Sequence, residues 1–127
     1  MKTLCELMAI EVLPTVRALI AKRLVEVHGL SQQQAADRLG TTQPAISQYK
    51  RELRGYKTNM ITRDKKIIEI IDSISRRLAS GEIDQQDSAL EFCDICRRMR
   101  STGMACELHR KIYPSLQSCT ICNNLQC

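Results

Sequence analysis

Cysteine spacing in the last third of the 127-residue chain favours metal binding. The segment 92–122, FCDICRRMRSTGMACELHRKIYPSLQSCTIC, contains five of the seven cysteines and one histidine. Two residues separate the members of each of three pairs, which are Cys93 and Cys96, Cys106 and His109, and Cys119 and Cys122. At this separation two side chains converge on one metal ion. We therefore predict a metal site with the candidate ligands Cys93, Cys96, Cys106, Cys119 and Cys122.

Two kinds of metal centre fit these ligands. A structural zinc ion takes four ligands in a tetrahedron, and Cys106 with His109 would suit it. An iron–sulfur cluster takes four cysteines, and the fifth thiol favours a cluster because a closed zinc site has no use for it. Nearby cations would offset the charge of a thiolate-bound cluster, although a solvated face has the same composition: Arg97, Arg98, Arg100, Arg110 and Lys111. The local chemistry leaves zinc and iron–sulfur open.

The other two cysteines carry weaker predictions. Cys5 stands alone in a predicted N-terminal helix, where a cysteine is more often a small buried apolar residue than a ligand. Cys127 is a spare ligand or a free thiol.

Composition and charge indicate a cytoplasmic protein with an anionic partner. The net charge is +5, and residues 1–60 carry nine Lys or Arg against five Asp or Glu, so the first half holds +4 of it. The early segment LCELMAIEVL is too short and too acidic for a signal peptide, and no apolar run approaches membrane-spanning length. In a reducing cytosol, seven cysteines indicate metal or redox chemistry rather than disulfides.

Apolar spacing predicts an all-α fold built from Leu, Ile, Val, Ala and Met. A short first helix is expected to end before Pro14, which begins a second helix. The apolar stripe of that second helix is Val16, Leu19, Ile20, Leu24 and Val27. A further helix over about 86–100 would place Cys93 and Cys96 on one face.

Isoleucines in the segment 62–80 form a two-heptad seam. The seam residues are Ile67, Ile71, Ile74 and Leu78. Such a seam either packs on its own domain or pairs two copies of the chain, and two heptads do not decide between these.

A second motif occupies the segment 30–53, LSQQQAADRLGTTQPAISQYKREL. Ser31 can cap a first helix, and the small Ala36 permits close approach of a second. Gly40 supplies a positive-φ turn, and Thr42 caps the second helix, whose first turn tolerates Pro44. The inward residues are Ile46, Tyr49 and Leu53. This layout is typical of a helix-turn-helix, whose second helix enters the major groove.

The outward residues of that second helix suit DNA. Glutamine can pair with adenine through two hydrogen bonds, and an alanine methyl can contact a thymine methyl. The cations and Gln32 are better placed for phosphates. The predicted DNA-binding residues are Gln32, Thr42, Gln43, Ala45, Ser47, Gln48, Lys50, Arg51 and Arg54.

These motifs carry two resemblances. GTTQPAISQYK resembles the turn and recognition helix of lambdoid phage repressors and related Cro/repressor-type regulators. The resemblance implies that Gln43 and Gln48 read bases, while Pro44 departs from the polar residue frequent in that family. Nearly the whole chain resembles a group of archaeal transcriptional regulators. The resemblance is carried by the segments CELM, LPTVRALIAKRLVE, GLSQQQAADRLGTTQPAISQY, EFCDICRRMRSTGMACELHR and CTIC. In those regulators a cysteine-rich tail is thought to hold an iron–sulfur cluster.

Taken together, the residues and the resemblance predict a transcription regulator rather than an enzyme. We expect a DNA-binding domain over 1–57, a linker with a dimerisation helix over 58–82 and a cysteine-rich domain over 83–127. The expected partners are double-stranded DNA and a second copy of the chain, without a membrane. The resemblance favours a [4Fe–4S] cluster that senses redox or iron–sulfur status and gates DNA binding. The alternative is a structural zinc site or a protein-interaction tail, and a redox enzyme is disfavoured because no βαβ pattern accompanies the cysteines.

Overall fold

The computed structural model describes residues 3–53 and 56–119, and within these ranges the protein contains helices and no strands. The all-α class predicted from apolar spacing is confirmed for this part of the chain. The elements are α1 (Leu4–Leu7), a π-turn (Met8–Val12), α2 (Leu13–Glu26), α3 (Gln32–Leu39), α4 (Gln43–Glu52), α5 (Tyr56–Thr62), α6 (Lys65–Ser80), α7 (Gln85–Ser101), α8 (Met104–Ile112) and a 3-10 turn (Pro114–Leu116).

The first two helices form one continuous helical segment, so the prediction that a helix ends before Pro14 was wrong. Pro14 lies in the first turn of α2, directly after the π-turn. In that turn the Leu13 N–H donates to the carbonyl of Met8, five residues back. A proline lacks an N–H and crowds the carbonyl four residues before it, and the wider π-turn relieves both problems. The segment therefore runs unbroken from α1 into the core helix α2.

Helix α2 packs against α3, α4 and α6, and its apolar stripe lines the core. Val16, Ile20 and Leu24 are fully buried. Val27 was expected in the same stripe, but it lies beyond the end of α2 and is 71% exposed.

The isoleucine seam of α6 is part of this core. All four seam residues have 0% exposure within the single chain: Ile67, Ile71, Ile74 and Leu78. Of the two interpretations of the seam, the structure therefore shows packing within its own chain.

Ion pairs fix α6 against its neighbours. Arg23 of α2 pairs with Asp72. Arg77 pairs with Glu91 of α7: the Arg77 Nη1 donates to the Glu91 Oε1 and the Nη2 donates to the Oε2. Helix α7 itself spans Gln85–Ser101, within one residue of the predicted bounds at each end. The cysteine-bearing helix is therefore held to the middle of the molecule.

Residues from all three predicted segments belong to one hydrophobic cluster. It contains Leu24 from the first segment, Ile71 from the second and Leu108 from the third. None of the helices that the structure describes combines the length and the apolar character needed to cross a membrane.

Candidate functional site

Helices α3 and α4 are joined by a short turn whose polar contacts match the sequence motif. The Ser31 hydroxyl accepts the Gln34 N–H at 3.1 Å, and the Gln34 carboxamide oxygen accepts the Ser31 N–H at 2.9 Å. Gly40 ends α3 with φ of 67°. The Thr42 hydroxyl then accepts the Ala45 N–H at 3.3 Å and caps α4. Ser31 and Thr42 satisfy backbone N–H groups at the starts of α3 and α4, and Gly40 provides the left-handed turn that ends α3. The local sequence therefore determines where these helices begin and where α3 ends.

Small and apolar side chains fill the space between the two helices and α2. Ala35 and Ala36 are completely buried, and Ile46 is 6% exposed. Tyr49 and Leu53 are half-buried against the same core. Helix α4 thus has a fixed inner face, as predicted.

The opposite face of α4 is polar and open to solvent. Gln43, Ser47, Gln48 and Arg51 are exposed, and Ala45 is half-buried. Thr42 is also exposed, although its hydroxyl is occupied by the cap. The Lys50 side chain and the whole of Arg54 lie outside the described residues.

One hydrogen bond ties the starts of α3 and α4 together on this face. The Gln43 Nε2 donates to the Gln32 Oε1 at 2.6 Å. This contact orients both side chains. Each carboxamide still has further donor and acceptor positions with which it can form hydrogen bonds.

The start of α7 lies against the turn between α3 and α4. A Cβ placed on Gly40 would come within 1.6 Å of the Gln85 Oε1. A Cβ on Gly81, just before α7, would lie 3.2 Å from an Arg38 guanidinium nitrogen. The cysteine-bearing helix therefore begins in direct contact with the turn.

The predicted metal ligands differ in their surroundings. Cys93 is exposed and Cys96 half-buried on α7, and Cys119 is half-buried after the 3-10 turn. Cys106 is 4% exposed and belongs to the hydrophobic core. Cys122, like Cys127, lies outside the described residues. Among the residues that the structure describes, no three or more His, Cys, Asp or Glu side chains lie close enough to hold a metal ion.

The Cys96 thiol has a charged environment drawn from two ends of the chain. Burial raises its pKa, and the neighbouring thiols of Cys93 and Cys5 raise it further, against the opposing charges of Arg100 and Arg97. Sequence reasoning treated Cys5 as a buried apolar residue, whereas its thiol is exposed and interacts with Cys96.

Two buried nitrogens near these cysteines have no hydrogen-bond acceptor within the described residues. They are the Arg100 Nε and the His109 Nε2. Arg100 is only 6% exposed, and its Nη2 donates to the Cys5 Sγ at 3.4 Å. The Arg110 Nη1 lies 3.5 Å from the Cys119 carbonyl oxygen. Soft thiol donors beside a buried guanidinium whose Nε has no acceptor among the described residues suit an anionic thiolate-bound cluster.

No protein-family model, curated protein or solved structure matches the chain.

Proposed function

We propose that this protein is a cytoplasmic, sequence-specific DNA-binding transcription regulator of the helix-turn-helix type. We further propose that its cysteines hold an iron–sulfur cluster, of the [4Fe–4S] type, that gates DNA binding. It acts by binding rather than by catalysing a reaction.

The observation that carries the proposal is the open polar face of α4. A helix anchored on one side by Ile46 and presenting Gln43, Ser47 and Gln48 on the other has the dimensions and chemistry to enter a major groove. Cationic side chains beside this face would bind the DNA phosphates. One of them, Arg51, is exposed near the C-terminal end of α4.

Glutamines on this face can distinguish bases. The Gln43–Gln32 hydrogen bond holds Gln43 in one orientation before DNA arrives. This reduces the side-chain entropy that base recognition must otherwise remove. Gln48 lies five residues along the same helix and is exposed, so it is free to form two hydrogen bonds with adenine.

Regulators of this type commonly bind as symmetric pairs, with recognition helices about 34 Å apart on the DNA. We include a homodimer in the proposal on this ground. Because the α6 seam is buried within one chain, the pairing surface must lie elsewhere.

The gating part of the proposal follows from the position of α7. When bound, an iron–sulfur cluster supplies a centre that redox change or oxygen can alter. Its ligands are drawn from the predicted cysteines, of which Cys93 and Cys96 are carried by α7. Since α7 begins at Gln85 against the Gly40 turn, a shift of α7 would alter the support of the recognition helix.

A structural zinc site is the second candidate. The buried His109 Nε2, which has no hydrogen-bond partner among the described residues, favours it, because a histidine three residues after a cysteine is an ordinary spacing for zinc ligands.

Gln48→Ala tests the DNA-binding proposal. Loss of the two hydrogen bonds to one base should weaken binding to the preferred sequence by about 1–3 kcal/mol, which is roughly 5- to 160-fold, with random duplex binding unchanged. Gln86→Ala removes an exposed glutamine from α7 and should change neither. The measurement is fluorescence anisotropy with both duplexes at one salt concentration, because phosphate contacts make affinity salt-dependent. Equal losses on both duplexes, or none, would show that Gln48 reads no base.

A further inference from the structure

Arg100 is a buried cation whose described hydrogen-bond acceptor is a thiol. The residue is 6% exposed, its Nε has no acceptor among the described residues, and its Nη2 contacts the Cys5 Sγ at 3.4 Å. An isolated buried charge is costly unless an opposite charge lies nearby, and a neutral thiol is only a weak acceptor. The part of the chain that the structure describes gives Arg100 no carboxylate partner, and a thiolate at Cys5 would supply an opposite charge.

Two further thiols share this region. Cys93, Cys96 and Arg100 follow one another at intervals of three and four residues on α7, so they lie along one face of that helix. The Cys96 thiol interacts with those of both Cys93 and Cys5. The Cys96 thiol thus lies near thiols from two distant parts of the chain, and one of these, that of Cys5, contacts the buried guanidinium of Arg100.

Cys5 and Cys106 differ in their exposure to solvent. The Cys5 thiol is exposed, whereas Cys106 is 4% exposed and packs in the core beside Ala105 and Leu108 of α8. A metal centre reached from solvent would therefore meet Cys5 far more easily than Cys106.

We propose that Cys5 is a thiolate ligand of the metal centre, together with Cys93 and Cys96, and that Arg100 is its buried counter-charge. Cys106 is then a core residue rather than a ligand. This inference rests on the proposed cofactor. The three thiols are not gathered around a single ion, and a multi-iron cluster accepts thiolates that are farther apart than one ion allows.

Ligation by Cys5 would connect the metal centre directly to the DNA-binding helices. Cys5 lies in α1, which continues through the π-turn into α2, and α2 packs against α3 and α4. The metal state would then act on the recognition helix from two sides, through α2 and through the contact of α7 with the Gly40 turn.

The test compares Cys5→Ser with Cys93→Ser and with the control Ala9→Ser, which changes an exposed residue on the same continuous helix. Each full-length protein is reconstituted without oxygen with ferrous iron and sulfide, and iron and sulfide per chain are measured. Circular dichroism checks that each variant keeps its helices. In parallel, the rate of Cys5 alkylation by iodoacetamide is measured by mass spectrometry before and after metal loading of the wild type, with iron–sulfide and with Zn²⁺ as separate probes.

We expect Cys5→Ser to lose iron and sulfide several-fold, as Cys93→Ser does, while Ala9→Ser loads fully. Metal loading should slow alkylation of Cys5 at least tenfold, because a bound thiolate is no longer a free nucleophile. Arg100→Gln should load but release its iron faster to a chelator.

The alternative results separate this inference from the proposed function. If Cys5→Ser loads fully and Cys5 alkylates equally fast with and without metal, the ligand assignment is overturned while the cluster stands. If the wild type takes up no iron and sulfide but Zn²⁺ protects Cys5, the cluster is overturned and the ligand assignment stands. If neither metal binds, both are overturned.

Discussion

Asp64 shows how one side chain joins the cysteine-bearing helix to the core. Its carboxylate accepts the Lys66 N–H at 2.9 Å and the Ile67 N–H at 3.4 Å, which caps α6, and it accepts the Arg98 Nε of α7 at 3.1 Å. Burial alone would raise the pKa of Asp64, but these hydrogen bonds outweigh burial, and the pKa lies below its ordinary value of 3.8. The ionised carboxylate is therefore favoured by folding.

We predict that Asp64→Asn lowers the free energy of unfolding at pH 7 by about 1–2 kcal/mol, since it weakens a cap and an ion pair. A carboxylate whose pKa is lower in the folded state contributes stability above its unfolded pKa, and that stability is lost as pH falls through the folded pKa. The difference between wild type and variant should therefore shrink below pH 3.8. Urea unfolding at several pH values measures it.

The control for that experiment is Asp94→Asn. Asp94 is 55% exposed and pairs with Arg97 on the same helix, so its loss should cost at most about 0.5 kcal/mol at any pH. A cost at Asp64 that stays constant with pH would contradict the assigned role of the carboxylate.

At the scale of elements, the contact between the α3–α4 turn and the start of α7 is the feature that links the two halves of the chain. Gly40 has φ of 67° and Gly29 has φ of 72°, so both glycines occupy the left-handed region. The two glycines differ in the space around them. A Cβ added to Gly40 would clash with the Gln85 side chain, while a Cβ added to Gly29 would meet no atom within 4 Å. Comparing substitutions at Gly29 and Gly40 therefore distinguishes the cost of backbone strain from the cost of disturbing the contact with α7.

We predict that Gly29→Ala costs about 1 kcal/mol of stability from backbone strain alone. Gly40→Ala should cost slightly more, because the new methyl also displaces the end of the Gln85 side chain, which is exposed and moves at low cost. Combining Gly40→Ala with Gln85→Ala should then restore part of the extra loss, as expected for two residues in contact. Urea unfolding of the wild type, of the single variants Gly29→Ala, Gly40→Ala and Gln85→Ala, and of the double variant measures this. Equal losses for the two glycine variants, with no effect of Gln85→Ala, would mean that the turn and α7 are independent.

Elements fixed by local chemistry were predictable from sequence. Ser31, Gly40 and Thr42 act on backbone groups within a few residues, so the bounds of α3 and α4 follow from residue type. The π-turn was missed because Pro14 favours a helix end equally well when only local rules are applied. The α6 seam left two interpretations because an apolar stripe does not reveal its partner.

The thiol site shows where sequence reasoning fails. Spacing identified Cys93 and Cys96, which are neighbours on one helix. The contact between Arg100 and Cys5 joins residues 95 positions apart, and no short pattern encodes it. Burial of Cys106 likewise depends on how α8 packs, which a two-residue spacing does not report.

At the scale of the whole molecule, one hydrophobic cluster contains residues from all three segments that the sequence suggested as domains. The polar face of α4 and the cysteine-bearing helix are therefore attached to the same packed core, through α2 and α6. Residues 1–60 carry +4 of the total net charge of +5. Helix α4, with its exposed polar face, belongs to this part of the chain. This arrangement suits a protein that binds DNA and responds to a change at its thiols.

Selection from a pool of random duplexes by the full-length, anaerobically reconstituted protein tests the central claim most directly. We predict enrichment of one sequence, with adenines at the positions read by Gln43 and Gln48, and with two inverted half-sites spaced by about 10 base pairs if the chain binds as a pair. A pool that gains affinity without converging on a sequence would contradict sequence-specific recognition by α4.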